Sequence, residues 1–332
     1  MQIEDVKKEL NEYVGKNPDV VAKAFYNEEV AINKHCKTIT AVKGKFPSFY
    51  SVIGHVIQPF APAWNEIGEA SFKHKMMQSH KMKVNFPVIA AEVLNTWLAD
   101  LYTQGKTAEE HPISKHIIDD LLAKVIDDVD VLSQNGNVSS ADTFLKSCNG
   151  IARNIALGLT NTAHPVFKIP LTAITSANII DQIKKFEKAL PKNTRKKVKK
   201  LFMSTNLSME YQDQYEQLYG TKVTFTDGDS FKTPLSKMEI VPLDHIADTI
   251  MFATVEGNLA RLIDVFDKPQ ITDIQKQDYK LKIFMEGDLG YDFLINELAY
   301  VAVFDGSPRG LNNAALNTLL YPGETLTVAQ AG

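Results

Sequence analysis

The sequence predicts an α+β protein of extended build, on three observations. A single long amphipathic helix is written over residues 112–134. A tract of about forty residues, 43–86, is punctuated by glycine and proline yet rich in aromatic and β-branched residues, which fits no compact element. The last third holds Asp278–Asp305, DYKLKIFMEGDLGYDFLINELAYVAVFD, with two apolar strand-like runs around a turn-like centre at Gly287-Asp288-Leu289-Gly290. Architecture is strongly written in this chain, and catalytic chemistry is not.

The elements follow in order. Ile3, Val6, Leu10 and Tyr13/Val14 recur at helical spacing. Asn17-Pro18 starts a second helix over about 18–34, a capping side chain ahead of a proline suited to the first turn. Residues 1–42 read as a helical arm, polar on most faces, that packs on something else. Gly44, Pro47, Gly54, Pro59, Pro62, Gly68 and Pro87 interrupt any helix over 43–86, while Phe46, Phe49-Tyr50, Val52-Ile53 and Val56-Ile57 supply strand character. Lys81–Phe86, KMKVNF, alternates with the two-residue period of a strand. The tract reads as a two-stranded excursion. A lone hairpin is marginal in water, so it should rest on a neighbour in this chain or in another.

Val93, Leu94, Trp97, Leu98 and Leu101 mark a helix over 88–104. In the 112–134 helix, Ile117, Leu121, Val125 and Leu132 lie on the core stripe, and Asp119, Asp120, Lys124, Asp127 and Asp128 lie on the opposite face. At ~1.5 Å per residue it is a rod of roughly 33 Å, stopped by Asn135-Gly136-Asn137. Residues 138–174 are mixed. Thr175/Ser176 cap a helix with Ile179, Ile180, Ile183, Phe186 and Leu190 on one face, ended by Pro191. Then come a strand at Val198–Met203, a helix over about 207–219 ending at Gly220, and strands at Lys222–Phe225, Met238–Val241 and Thr249–Ala253, with a turn at Asp227-Gly228-Asp229. This rhythm is that of a compact α/β lobe. The closing ladder, 278–304, returns beside the long helix or the excursion. From Gly306 onward the tail is loop-rich, with a helical piece at Asn312–Leu320.

The 332 residues are enough for two lobes or one elaborated domain, and 44% hydrophobic with 23% charged residues is ordinary for a globular chain. The net charge of −4 disfavours a protein whose main task is to neutralise phosphates, because each such contact needs a lysine or arginine. Cys36 and Cys148 show no metal-ligand spacing and read as two reduced thiols in a cytosolic compartment. No signal-peptide core opens the chain, and no apolar run approaches the ~20 residues that span a bilayer.

Candidate chemistry is sparse. No phosphate loop, dinucleotide fingerprint, nucleophile elbow or zinc-protease motif is present. His116 with Asp119 and Asp120 could place an imidazole beside carboxylates, but a solvated helix face is the favoured reading. Lys73–Lys83, KHKMMQSHKMK, could offer soft copper ligands or phosphate contacts; the favoured reading is an exposed, basic strand pair that docks on an acidic neighbour, its methionines serving as adaptable packing groups. The basic run Thr194–Lys200 holds Arg195, Lys196, Lys197, Lys199 and Lys200 without an interleaved aromatic, and reads as a loop forming a solvated or inter-subunit charge patch rather than a nucleic-acid site. Asp227, Asp229 and Asp244 could hold a metal but read as turn residues, and Glu286 and Asp288 read as exposed in the ladder's turn. No catalytic residue, cofactor or metal is assigned.

The order of these pieces resembles the major capsid proteins of tailed bacteriophages, the Hong Kong 97-type shell fold that encapsulin nanocompartments also use. The likeness covers roughly 40–305 and is one of organisation. Residues 1–42 look like the family's N-terminal arm and 43–86 like its extended loop. KVNFPVIAAEVLNTW and the 112–134 helix look like the passage into the spine helix, within a first peripheral part at 87–144. Residues 145–265, with LPKNTRKKVKKLFMSTNLSMEYQDQYEQLYG, look like the axial domain. The returning peripheral strands would lie in 266–305, and 306–332 would be a C-terminal tail. The resemblance implies a structural protein, not an enzyme, that assembles with itself into pentamers and hexamers of an icosahedral shell around double-stranded DNA, held by weak contacts on the inner face. It also implies portal, scaffolding or decoration proteins as partners, no membrane, and a place in the virion after assembly in the host cytoplasm. Phe49, Tyr50, Lys73, Lys75, Lys81 and Lys83 are then candidates for contact between subunits. An encapsulin-like compartment, or a tail or connector protein, is the alternative.

Overall fold

The computed structural model describes residues 3–53, 56–65, 70–89, 92–93, 113–220, 231–278 and 280–326. The expected helix over 88–104, the strand at 222–225 and the turn at 227–229 lie wholly or mostly outside them.

The described residues build two large hydrophobic cores and a small third one, in which Val42 and Met77 pack on Ala260 and Leu262. The first gathers α1 (Ile3–Lys16), α2 (Val20–Phe25), the long helix α3 (Ile113–Asn135) and α4 (Ile151–Thr160) against one mixed sheet. That sheet runs in the order β1 (Lys37–Ile39), β9 (Leu259–Ile263), β11 (Lys280–Phe293), β10 (Gln270–Gln277), and β4 (His80–Ile89) also pairs with β11. The second core lies against a sheet of order β5 (Phe167–Pro170), β12 (Ala299–Val303), β8 (Phe252–Val255), β6 (Val198–Ser204), β7 (Glu239–Leu243). It is covered by α5 (Ile179–Ala189), α6 (Thr205–Tyr219) and α7 (Ala314–Leu320). A separate antiparallel ribbon, β2 (Lys45–Ile53) with β3 (Ala70–Gln78), completes the α+β architecture.

Helix α3 is the rod the periodicity predicts: Ile117, Leu121, Val125 and Leu132 are all buried. His116 is buried too, at 3.5 Å from the exposed Asp120, so it does not sit on a solvated face. The N-terminal segment packs on its own chain. Val6, Leu10, Val21 and Phe25 enter the first core beside α3 and β11. Its second helix stops at Phe25, short of the expected 34, because Asn27 turns the chain: its side-chain oxygen accepts from the Glu29 N–H at 2.8 Å. In the α/β lobe, α6 begins at its Ser204 cap, which accepts from the Leu207 N–H, and ends at Gly220 with φ +72°. Helix α5 starts at Ile179 behind Asn178, later than a Thr175/Ser176 cap predicts.

The closing tract departs most from expectation. Gly287-Asp288-Leu289-Gly290 is not a turn. It lies inside β11, a single strand of 14 residues whose register against β4 runs unbroken from Lys280↔Ile89 to Leu289↔His80. The glycines serve close approach instead. A Cβ at Gly290 would sit 2.6 Å from the Gln78 carbonyl oxygen and 2.9 Å from the Ser79 Cα, where the outgoing ribbon crosses β11. The true reversal follows Gln277, which pairs with Lys280, and Asp278 takes the left-handed φ of +55° that this residue type tolerates. The two apolar runs therefore do not pair with each other. β11 belongs to the first sheet and β12 to the second, and the short 3-10 turn Asn296–Leu298 joins them.

Candidate assembly surface

The ribbon grows directly out of the first sheet. β3 continues through Ser79 into β4, so Lys81 and Lys83 stand in the first sheet and not in the free part of the excursion. At the root, the Ser79 N–H donates to the Gly44 carbonyl at 2.7 Å and the Gly44 N–H donates to Ser79 Oγ at 2.8 Å. Beyond this closure β2 and β3 pair without a bulge from Lys45↔Gln78 to Ile53↔Ala70, a ladder roughly 30 Å long.

Strand alternation gives the ribbon two faces. The face toward the body is clamped: Met77 and Val52 are buried on it, Phe46 packs beside Met77, and polar side chains between them are tied down. Ser48 Oγ donates to the Leu294 carbonyl at 3.1 Å, and Tyr50 donates to Glu297 Oε1 at 2.7 Å. The Lys75 ammonium, 9% exposed, reaches Asp292 Oδ1 at 2.6 Å, the Phe293 carbonyl at 2.8 Å and Asn296 Oδ1 at 2.6 Å. Asn296 Nδ2 donates to the His164 carbonyl, and the His164 ring lies 3.1 Å from the Tyr50 hydroxyl. The turn between the two sheets, Asn296–Leu298, is thus the anchor point for the excursion. A buried ammonium satisfied by a carboxylate and two further oxygens is a specific orienting contact, because any other placement strands a charge. Burial drives the Tyr50 phenol well above its ordinary pKa, with the Glu297 carboxylate adding to the rise. Burial holds the His164 imidazole below its ordinary value against the opposing pull of Glu297.

The outward face is bare, and among the polar Lys45, Ser51, His74 and Gln78 it shows large apolar side chains to water. Phe49 is 76% exposed, Phe72 82%, Ile53 61% and Met76 51%. At the end of the ribbon Ile57, Phe60 and Trp64 are each more than 90% exposed. Burying a side chain of this size stabilises by roughly 1.5–3 kcal/mol, and contiguous apolar surface of this kind marks an interaction site.

The predicted contact residues therefore separate. Phe49 lies on the bare face. Tyr50 and Lys75, expected with it on an exposed strand pair, point into the body and are committed within the chain. Lys73 reaches the Ala163 carbonyl at 3.4 Å, Lys81 pairs with Glu286 at 2.5 Å across the β4–β11 ladder, and Lys83 is exposed on β4. Asp288, expected in an exposed turn, is 6% exposed within β11. The basic run is not one loop: Arg195–Lys197 form a 3-10 turn, while Lys199 and Lys200 start β6. Arg195 donates to the Lys188 and Leu190 carbonyls at 2.7 and 2.8 Å, closing the end of α5. Lys200 contacts His35 Nδ1 at 2.8 Å, and Lys196, Lys197 and Lys199 are exposed. The aromatic residues of the ribbon end, Phe60 and Trp64, and the Glu297–His164 anchor were not singled out in the sequence. Two aromatics among prolines in the charge-free run 56–65 were the available signal for the former. The anchor has none, since its members are 114 to 247 positions from Tyr50.

Among the described residues no group of three or more His, Cys, Asp or Glu could hold a metal ion, and no helix is long and apolar enough to cross a membrane. Cys36 and Cys148 are free thiols, and burial pushes both up to about 12.

No protein-family model matches the chain, and no curated protein sequence does. Solved structures do. The capsid asymmetric unit of cyanophage A-1(L) superposes with a TM-score of 0.54 at 14% identity, covering 85% of this chain and 92% of that one. The capsid of an empty GTA particle gives a TM-score of 0.50 at 10% identity, covering 82% and 89%. At such identity the likeness speaks to the path of the chain alone, and on that ground this chain has the fold of a phage capsid subunit.

Proposed function

We propose that this chain is a structural shell subunit, the major capsid protein of a tailed phage, which assembles with itself into pentamers and hexamers of an icosahedral particle enclosing double-stranded DNA. The observation that carries the reading is the ribbon β2–β3: its inward face is clamped to its own body, and large apolar side chains on its outward face, Phe49, Ile53, Phe72 and Met76, are left without cover in the isolated chain. A surface so arranged is built for a partner, and a fold shared with capsid subunits makes further copies of the same chain the fitting partner. The first core and its sheet would form the thin wall as the peripheral part, and the second sheet with α5 and α6 the axial part. The exposed lysines of 196–199 would meet DNA or neighbouring subunits weakly, in keeping with a net charge of −4. The protein would act without catalysis, in the company of portal, scaffolding or decoration proteins, and reside in the virion after assembly in the host cytoplasm.

Negative-stain microscopy of the purified chain tests this. Icosahedral particles or capsomer rings are expected, and particles recovered from the virion should protect double-stranded DNA from nuclease. Monodisperse monomers at every concentration would overturn the reading, and particles filled with a protein cargo in place of DNA would move it to an encapsulin-like compartment.

A further inference from the structure

A small cleft of about 40 Å³ lies where the chain passes from the second sheet into the first, at the turn from β8 to β9. It has room for roughly three waters, the space of a compact oxyanion. Two distant segments bring hydrogen-bond donors to it: His35 from the 3-10 turn Asn33–His35, and Lys199 and Lys200 from β6. Lys200 Nζ lies 2.8 Å from His35 Nδ1. An ammonium only donates, so Nδ1 is the bare nitrogen and the ring hydrogen sits on Nε2. Burial and the Lys200 charge lower His35 to about 4, which keeps the ring neutral near pH 7. The ring is held edge-on to Phe202, centroids 5.5 Å apart, and no described residue accepts from Nε2.

The backbone supplies the second observation. Lys199 and Lys200 are consecutive in a strand, and regular alternation would send them to opposite faces. The register of β6 against β8 shifts there: Val198 pairs with Val255 and Lys200 with Thr254. Lys199 is therefore the extra residue of a bulge, a device that re-aims a side chain, and both lysines line the one cleft. Lys34 adds a third positive charge that is felt at His35. Against these lysines stand Glu239, 4.0 Å from Lys200, and the exposed Glu256 at the rim, so the site is net positive. Lys199 is exposed and has no ion-pair partner among the described residues.

We infer that this cleft binds a single phosphate group, held by Lys199, Lys200 and the Nε2–H of His35. Two ammoniums and a fixed N–H converging on one small space match the several acceptor oxygens of phosphate, and such charge-assisted bonds are the strong ones. The group can be inorganic phosphate or one phosphate of a DNA backbone. In the second case the inference rests on the shell reading and sharpens it, because it gives the weak DNA contact one defined position. Either way a bound phosphate would tie the N-terminal segment to β6 and brace the joint between the two large cores.

Equilibrium dialysis of the full-length chain against labelled inorganic phosphate, at an ionic strength fixed with chloride, tests the site. One saturable phosphate per chain is expected. Lys199→Gln and His35→Phe should each weaken it by about tenfold or more, the share of one charge-assisted hydrogen bond. Lys146→Gln, at an exposed lysine elsewhere, should leave it unchanged. Circular dichroism establishes that each variant folds, and the exposed Lys199 keeps the test open if His35→Phe does not. A short DNA duplex that displaces the label identifies the backbone as the source; label that the duplex leaves in place identifies free phosphate. Absence of saturable binding, or binding that Lys146→Gln weakens as much as Lys199→Gln, would overturn the inference. Particles that form without binding phosphate would leave the shell reading standing, and phosphate bound by a chain that forms no particles would leave this site standing alone.

Discussion

The first sheet and the β2–β3 ribbon share one run of strand, β3 into β4, divided at Ser79, yet they show different surfaces to water. Along β11 the inward side chains are apolar: Leu281, Ile283, Met285 and Leu289 are buried in the first core, and Lys280, Lys282 and Glu286 lie outside or at its margin. Along the ribbon, Ser48, Tyr50 and Lys75 face inward and Phe49, Ile53, Phe72 and Met76 face out. A sheet that stabilises its own chain hides apolar surface. The ribbon holds to the body by buried Met77 and Val52 together with polar contacts, yet shows large apolar side chains to water. The difference separates what holds the subunit together from what would hold subunits to each other.

The comparison can be broken in several places. The largest expected effect is on assembly: Phe49→Lys with Phe72→Glu should abolish particles in microscopy while leaving the urea midpoint of the subunit within about 0.5 kcal/mol of wild type. A large loss of subunit stability would mean that the outer face is already covered within the chain. Next, Lys75→Met leaves Asp292 buried without its partner and should cost about 3–5 kcal/mol in chemical denaturation. A cost below about 1 kcal/mol would show that the clamp is loose in solution. Gly290→Ala drives a Cβ against backbone at the crossing of ribbon and ladder and should cost roughly 1–3 kcal/mol. Tyr50→Phe strips the Glu297 carboxylate of its donor in a fully buried position, at about 1–3 kcal/mol. A neutral result there would place the orienting work on Lys75 alone.

The smallest effect is one of pH. Burial lowers His164 and His80 below their ordinary values, and burial together with Lys200 lowers His35 to about 4. The unfolded chain takes up these protons first as pH falls. The stability the neutral rings contribute is therefore complete above about pH 6.5 and is lost on acidification toward the folded values, down to about pH 4 for His35. The urea midpoint should fall between pH 7.5 and 5, and His35→Gln should flatten that slope. A midpoint that rises on acidification would contradict the burial of these rings.

Much of this architecture was legible in advance because it is local. The α3 stripe, the Gly220 end of α6 and the strand alternation at 81–86 follow from spacing and caps that a few neighbouring residues determine. The misreadings were of residues whose meaning is set from afar. Gly287 and Gly290 read as a turn because glycine breaks strands locally, and only the crossing of β3 and β4 over β11 shows that they make room. Lys75 read as exposed because lysine usually is, and only Asp292 and Asn296, more than two hundred positions away, make a buried ammonium tolerable.

The sequence by itself determined that the chain is α+β, that one helix is a long rod, and that 43–86 is rich in strand; that its end, from His80, belongs to the first sheet was not legible. Periodicity and backbone restriction carry that information within a turn or two of each residue. Only the tertiary structure decided which face of the excursion meets the body and which meets water. Strand alternation yields two faces and does not say which is inside; the choice fell to distant oxygens at 292–297 that satisfy a buried lysine and tyrosine, and to a small core that takes in Met77, which left Phe49 and Phe72 facing water.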